Sequence, residues 1–174
     1  MYDIVKTTQG LRDDMKYITV GSDIGIPATN KPSRSEISLL VDYDKMKLLT
    51  MIKRARYDLV VNPTSKVFTR GIAKIAAEKR VGVCLELRKL YYLRGYELSV
   101  ALRDMRDVVK LCVKYKVPIV LCTGAVKSEE LRSPHSLIVF GQVLGLNAKQ
   151  AKMAITYYPE QYVRRVLDVK KREE

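Results

Sequence analysis

The sequence predicts an α/β fold built on a mostly parallel sheet. Three observations carry that expectation. Short apolar runs rich in β-branched residues recur along the chain, as strands buried on both faces require. Amphipathic helical stretches separate several of these runs, which is the alternation of βα units. The run Pro118-Ile-Val-Leu-Cys122 is followed by a polar loop and the pair Ser133-Pro134, an N-cap and a first-turn proline. At 174 residues the chain is expected to form a single domain over residues 1–174, burying roughly 70% of its unfolded surface.

Residues 2–7 form the first expected strand, 11–16 a short helix and 17–20 a second strand. Residues 21–35 show no helical period, and their glycine, prolines, Asn30 and hydroxyl residues predict a loop. A third strand is expected at 37–41. Asp42 or Asp44 then caps a helix to about Arg56, with Met46, Leu49 and Ile52/Lys53 near helical spacing. Residues 58–61 form a fourth strand, stopped by Asn62-Pro63, and a helix is expected over 70–79. The fifth strand, 82–87, leads into a basic loop. The helix over 97–115 follows, with Leu98, Ala101, Leu102, Met105, Val109 and Cys112 on one stripe. Arg103, Arg106, Asp107, Lys110 and Lys114 fall on its other face. After the strand at 118–122, with Gly124 as the expected turn residue, come three helices. One starts at Ser133, one at Asn147 with Gln150 completing a capping box, and one near Pro159. The tail over 170–174 is expected to fray.

About six strands are counted, and open doubly wound sheets and closed barrels share this pattern. An eight-stranded barrel usually needs ~200 residues or more, so a barrel here is small, trimmed or irregular.

Charge is the unusual feature of the composition. Thirty-two Lys and Arg against nineteen acids leave +13, which points to a polyanionic partner. No apolar run approaches the ~20 residues of a membrane span, and the N-terminal residues lack the regions of a signal peptide. The expected location is the cytoplasm, with no membrane partner, and nucleic acid is preferred to an anionic bilayer. Cys84 and Cys122 fall in expected core strands and Cys112 on a buried helix face. An odd number at wide spacing fits neither zinc nor a disulfide framework, so the three are expected as small core residues.

Catalytic patterns are missing. The one histidine, His135, cannot supply the convergent ligands of a metal-dependent phosphoesterase. The strand-end acids Asp23 and Glu86 have no partner in ligand spacing, and Glu86 is expected to pair with a strand-end arginine. No nucleophile elbow, P-loop or Gly-x-Gly-x-x-Gly is present. No catalytic residue, metal or cofactor is expected.

The cations, by contrast, have an order. Residues 62–96 hold eight Lys and Arg and two acids. Lys66 and Arg70 follow one strand, Arg88, Lys89 and Arg94 the next, and Lys127, Arg132 and His135 the one after. Successive parallel strands deliver such loops to one mouth, beyond their carboxyl ends. The stretch 117–137 is the centre of this arrangement, because free helix N–H groups behind Ser133 add anion donors. Tyr91, Tyr92 and Tyr96 lie in the same region, either to stack on unpaired bases or to pack under a loop.

The stretches Asp58-Leu-Val-Val-Asn-Pro and Val83-Cys-Leu-Glu-Leu-Arg88, with the helix that ends at Tyr115, resemble ribonuclease P protein component 3. So do Lys116-Val-Pro-Ile-Val-Leu-Cys-Thr-Gly-Ala125 and Leu131-Arg-Ser-Pro-His-Ser-Leu137. Gly141-Gln-Val-Leu-Gly-Leu146, Ala151-Lys-Met-Ala-Ile-Thr156 and Tyr158-Pro-Glu-Gln-Tyr-Val-Arg-Arg165 continue the likeness in order. The resemblance covers 58–169, and the first 57 residues match weakly. It implies an archaeal-type subunit of the tRNA 5′-processing ribonucleoprotein, in which the RNA carries catalysis and the protein supports it. The implied fold is a TIM-like barrel related to the polymerase and histidinol phosphatase hydrolases, without their metal site. The implied partners are ribonuclease P RNA and protein component 2, generally in a two-plus-two assembly, with other holoenzyme subunits, and precursor tRNA indirectly. The basic positions inside the matching motifs are Lys66, Arg88 and Arg132; the remaining candidates rest on charge and place. The alternative is a stand-alone α/β-barrel hydrolase or lyase acting on a phosphorylated small molecule.

Overall fold

The structure, a computed structural model, describes residues 1–6, 16–20, 26–33, 35–41 and 43–173. The expected helix at 11–16 lies outside them except for Lys16, and so do Asp23, Asp42 and Glu174. Seven strands form one sheet in sequence order, and every described pairing is parallel. They are β1 (Tyr2–Val5), β2 (Lys16–Val20), β3 (Ile26–Thr29), β4 (Ile37–Leu40), β5 (Leu59–Val61), β6 (Gly82–Glu86) and β7 (Ile119–Cys122). The helices are α1 (Lys45–Lys53), α2 (Arg70–Lys79), the single turn α3 (Arg88–Tyr91), α4 (Gly95–Tyr115), α5 (Pro134–Val143), α6 (Ala148–Ile155) and α7 (Tyr157–Glu173).

The sheet curls until its first and last strands meet. Gly124 N–H donates to Ile4 O at 3.0 Å, and Lys6 N–H to Ala125 O at 2.7 Å. Asp3 locks the same seam: its carboxylate accepts from Thr123 N–H and from the Thr123 hydroxyl, each at 2.6 Å. The result is a small TIM-like barrel.

Strand alternation then sorts the apolar side chains onto two faces. Ile4, Ile18, Ile37, Leu39, Leu59, Val61, Cys84, Val120 and Cys122 form the inner cluster. Val5, Leu40, Val60, Val83, Leu85 and Leu121 face outward onto the helices. α2 contributes Ile72, Ala73 and Ala76, and α4 contributes Met105, Val108, Val109 and Cys112. α7 closes the N-terminal end of the barrel with Tyr162, Val163 and Val166. It is held there by Arg165, which donates to Asp58 Oδ2 at 2.7 Å and Glu36 O at 2.9 Å. All three cysteines are free and buried. Among the described residues no helix is long and apolar enough to cross a membrane.

Three expectations need correction. The loop expected over 21–35 contains β3, which pairs with both neighbours, so the sheet has seven strands and not six. Pro27 within a short polar context hides that strand, because proline cannot donate to a ladder. In α1 the buried residues are Leu48 and Ile52, whereas Met46 is 70% exposed. The basic loop after the fifth strand is partly helical, as α3.

Gly82, at the start of β6, has no room for a side chain. An added Cβ would lie 2.4 Å from the Tyr162 hydroxyl and 2.9 Å from Leu59 Cδ2. Gly82→Ala is expected to push α7 off the barrel floor and to cost about 1–3 kcal/mol. A urea midpoint equal to wild type would contradict this.

Candidate nucleic-acid interface

β6 and β7 stay paired past their ends: Leu87 and Arg88 N–H donate to Cys122 O and Thr123 O, both at 2.9 Å. This continuation brings α3 against the loop that follows β7. Gly124 makes the loop's turn at φ +64°, and an added Cβ there would meet Glu86 side-chain atoms at 2.8–2.9 Å. A glycine is therefore required on both counts.

The loop then forms a 3₁₀ turn, Ser128–Glu130, which buries the Glu130 carboxylate. Glu130 is the hub of the site. Its Oε2 accepts from Val126 N–H at 2.8 Å, Lys127 N–H at 3.3 Å and Arg88 Nε at 3.0 Å. Its Oε1 accepts from the Tyr92 hydroxyl at 2.8 Å, and its backbone carbonyl from the Tyr91 hydroxyl at 2.9 Å. Burial by itself would raise this carboxyl, but the donors from Val126, Tyr92, Arg88 and Lys127 outweigh it and pull the pKa down to about 2.

Around the hub the cations are braced by aromatic faces and carbonyls. Arg132 sits 5.0 Å from the Tyr91 ring centroid and donates to Glu129 O and Leu131 O, both at 2.7 Å. Arg88 lies 5.8 Å from the Tyr92 centroid. Arg94 donates to Tyr91 O and Leu93 O, both at 2.8 Å. Ser133 caps α5 by accepting from Ser136 N–H at 3.3 Å, with Pro134 in the first turn and His135 exposed beside it.

Arg88, Arg94, Lys127 and Arg132 are thus brought together, with Lys89 and His135 adjoining in the chain. Lys66 stands on the neighbouring β5–α2 loop and Arg70 is the first residue of α2, both exposed. That loop is pinned to α4 by Ser65, whose N–H and hydroxyl both donate to Asp104. Of these eight side chains only Arg88 forms an ion pair among the described residues. Tyr92 and Tyr96 are 69% and 82% exposed on the same edge.

Glu86 does not pair with an arginine as expected. Its Oε2 accepts from Asn62 Nδ2 at 2.8 Å, and its N–H donates to Asn62 Oδ1 at 2.9 Å. The strand-end arginine, Arg88, goes to Glu130 instead. Among the described residues no group of three or more His, Cys, Asp and Glu could hold a metal ion. Sequence reasoning missed Glu130 and Asp3, because their side-chain partners Arg88 and Thr123 lie 42 and 120 positions away.

Asp3 supplies a pH test of the seam behind the site. Burial pushes its carboxyl up to about 6, against the hydrogen bonds from Thr123. A raised acid stabilises the fold most below its unfolded value, and this contribution is lost as pH rises through about 6. Against Asp3→Asn, which stays neutral, wild type is therefore expected to lose about 2–3 kcal/mol between pH 4 and pH 7. Parallel urea titrations of the two proteins across that range would contradict it.

The RNase P subunit p30 family model matches residues 44–171. Ribonuclease P protein component 3 of Methanosarcina mazei is 32% identical over 117 residues, covering 66% of this chain and 49% of that protein. The Thermococcus gammatolerans protein of the same name is 24% identical over 170 residues, covering 90% of this chain and 79% of its own length. The chain spans about half the length of the Methanosarcina relatives it matches. One chain of an archaeal ribonuclease P solved by cryo-EM with mature tRNA superimposes with a TM-score of 0.67. That match covers 95% of this chain and 81% of the other at 15% identity, so it bears on the fold. With the family model matched from α1 through most of α7, over an α/β barrel whose basic loops meet at one mouth, this chain belongs to the RNase P subunit p30 family.

Proposed function

We propose that this chain is an RNA-binding protein subunit of ribonuclease P, supporting the catalytic RNA in removing 5′ leaders from precursor tRNA. The observation that carries the reading is the mouth of the barrel. There three consecutive βα connections and the helix starts behind them carry Lys66, Arg70, Arg88, Lys89, Arg94, Lys127, Arg132 and His135, and Arg132 lies against the Tyr91 ring. Cations braced before RNA arrives lose less side-chain freedom on binding, and arginine's fork suits phosphate oxygens. The named relatives are ribonuclease P protein components, which supports the same assignment. The partners are ribonuclease P RNA and protein component 2, with precursor tRNA met through the assembled particle.

Affinity purification of the tagged chain from its own cells tests this. Recovery of an RNA that cleaves precursor tRNA, together with a component 2 homologue, is the expected result. Recovery of the chain without RNA, with turnover of a phosphorylated small molecule, would favour a stand-alone hydrolase or lyase instead.

A further inference from the structure

The opposite end of the barrel carries a second basic surface. Where α1, α2 and α4 end and β5, β6 and β7 begin, a groove runs across the floor. Its two compartments, about 680 Å³ and 460 Å³, share Ala55, Asp58 and Arg165. Arg54, Arg56, Lys79, Arg80 and Lys116 line it. All five are exposed, and none has an ion-pair partner among the described residues. The one carboxylate in the lining, Asp58, is already neutralised by Arg165 at 2.7 Å. Tyr57, Tyr157 and Tyr158 supply aromatic walls, with Tyr157 50% exposed and set edge-on to Tyr158 at 5.5 Å. Neither compartment is lined by Leu, Ile, Val or Met.

Cations near helix C-termini are ordinarily explained by the helix dipole. That account is already met by Lys79 in the last turn of α2 and Lys114 in that of α4. It does not explain Arg80 and Lys116, which close those two helices at φ +55° and +58°. Glycine takes this left-handed position without the steric cost that a Cβ brings. A long cation at each of two adjacent turns bears that cost and points into one groove's lining.

We propose that this groove is a second nucleic-acid site, which takes an unpaired RNA segment. Free cations track the phosphates, and tyrosine faces stack on bases that are not paired. The absence of large aliphatic side chains from the lining disfavours an apolar protein helix. The inference rests on the proposed RNA-binding role and adds to it a place, the N-terminal end of the barrel, and a substrate class, single-stranded RNA. One chain would then hold two RNA segments at opposite ends.

The test uses the full chain and a fluorescent oligouridylate of roughly ten nucleotides, a length within the usual range of single-strand sites. Arg80→Gly/Lys116→Gly removes two cations while placing glycine where the backbone favours it, so the variant is expected to melt in urea at or above wild type. Its affinity for oligouridylate is expected to fall about tenfold or more, with a salt slope flatter by about 1.4. Tyr157→Leu is expected to weaken oligouridylate binding at least fivefold while leaving an abasic oligomer unaffected. Unchanged affinity in the glycine variant would overturn the proposal. So would binding lost in Arg88→Ala/Arg132→Ala but kept in the glycine variant. Equal losses toward oligouridylate and poly-glutamate, with no effect of Tyr157→Leu, would make the groove an acidic-peptide surface and also overturn it. A wrong ribonuclease P assignment shows separately, as failure to recover an active RNA with the tagged chain.

Discussion

Glu130→Ala is expected to lower the unfolding free energy by about 3 kcal/mol and to weaken RNA binding in the same variant. The carboxylate is buried and holds four donors at once, from Val126, Lys127, Arg88 and Tyr92. Breaking a buried ion pair from one side costs about 3–5 kcal/mol. The lower end applies here, because the Arg88 side chain is 37% exposed and can be rehydrated. The Val126–Lys127 backbone and the Tyr91 anchor then lose their common fixture, so Arg132 loses its position as well. Glu130→Gln keeps one acceptor oxygen and is expected to lose about half as much. The pH dependence has a definite sign. The folded carboxyl sits at about 2 and the ordinary value is 4.5, so its stabilisation is complete above 4.5 and is lost as pH falls from there toward about 2. Asp3 acts in the opposite direction at higher pH, gaining stability as pH falls through about 6. Urea titrations at neutral pH and near pH 3 separate the two. A Glu130→Ala midpoint equal to wild type at neutral pH would show that the hub is not a fixture of the mouth.

The mouth double mutant Arg88→Ala/Arg132→Ala is expected to flatten the log–log salt dependence of RNA affinity by about one to two units. If half of the eight proposed residues touch phosphate, the wild-type slope is about three to four, so this is a large share of it. Arg132 is expected to contribute more than Arg88, whose Nε is committed to Glu130. Arg132→Lys is expected to rescue only partly, because an ammonium keeps the charge but cannot bridge two phosphate oxygens or stack on Tyr91 as a guanidinium does. The comparison variant is Arg103→Ala/Arg106→Ala on the outer face of α4, where Arg106 donates to Val143 O at 2.9 Å. If that variant alone loses affinity and slope, RNA docks on the helices and the mouth assignment is wrong.

How much of this was legible in the chain depends on the range of the interaction. The span of α2 matches its expected one, and α6 begins behind Asn147 with Gln150 closing the capping box. Ser133-Pro134 opens α5 as its residue types require. Helix caps and 3.6-residue periodicity involve partners within four positions, so a single sequence carries them in full. The order of basic loops after successive strands was also legible, because parallel βα connection sends every such loop to the same end.

The sequence by itself determined α1, α2 and α4 to α7, the parallel sheet and the sign of the charge at the mouth. Only the tertiary structure decided which cations are braced and by what. Glu130 meets Arg88 across 42 positions and Asp3 meets Thr123 across 120, and neither glutamate nor aspartate differs locally from a solvated acid. The strand over Ile26–Thr29 was likewise decided by its neighbours, since Pro27 and a glycine- and proline-containing context read locally as loop. The basic groove on the barrel floor gathers its residues from three separate turns. The pairing of β6 with β7, the closure that brings β1 onto β7 and the packing of α7 under the strands bring these groups together, and no periodicity in the chain encodes a distance of that kind.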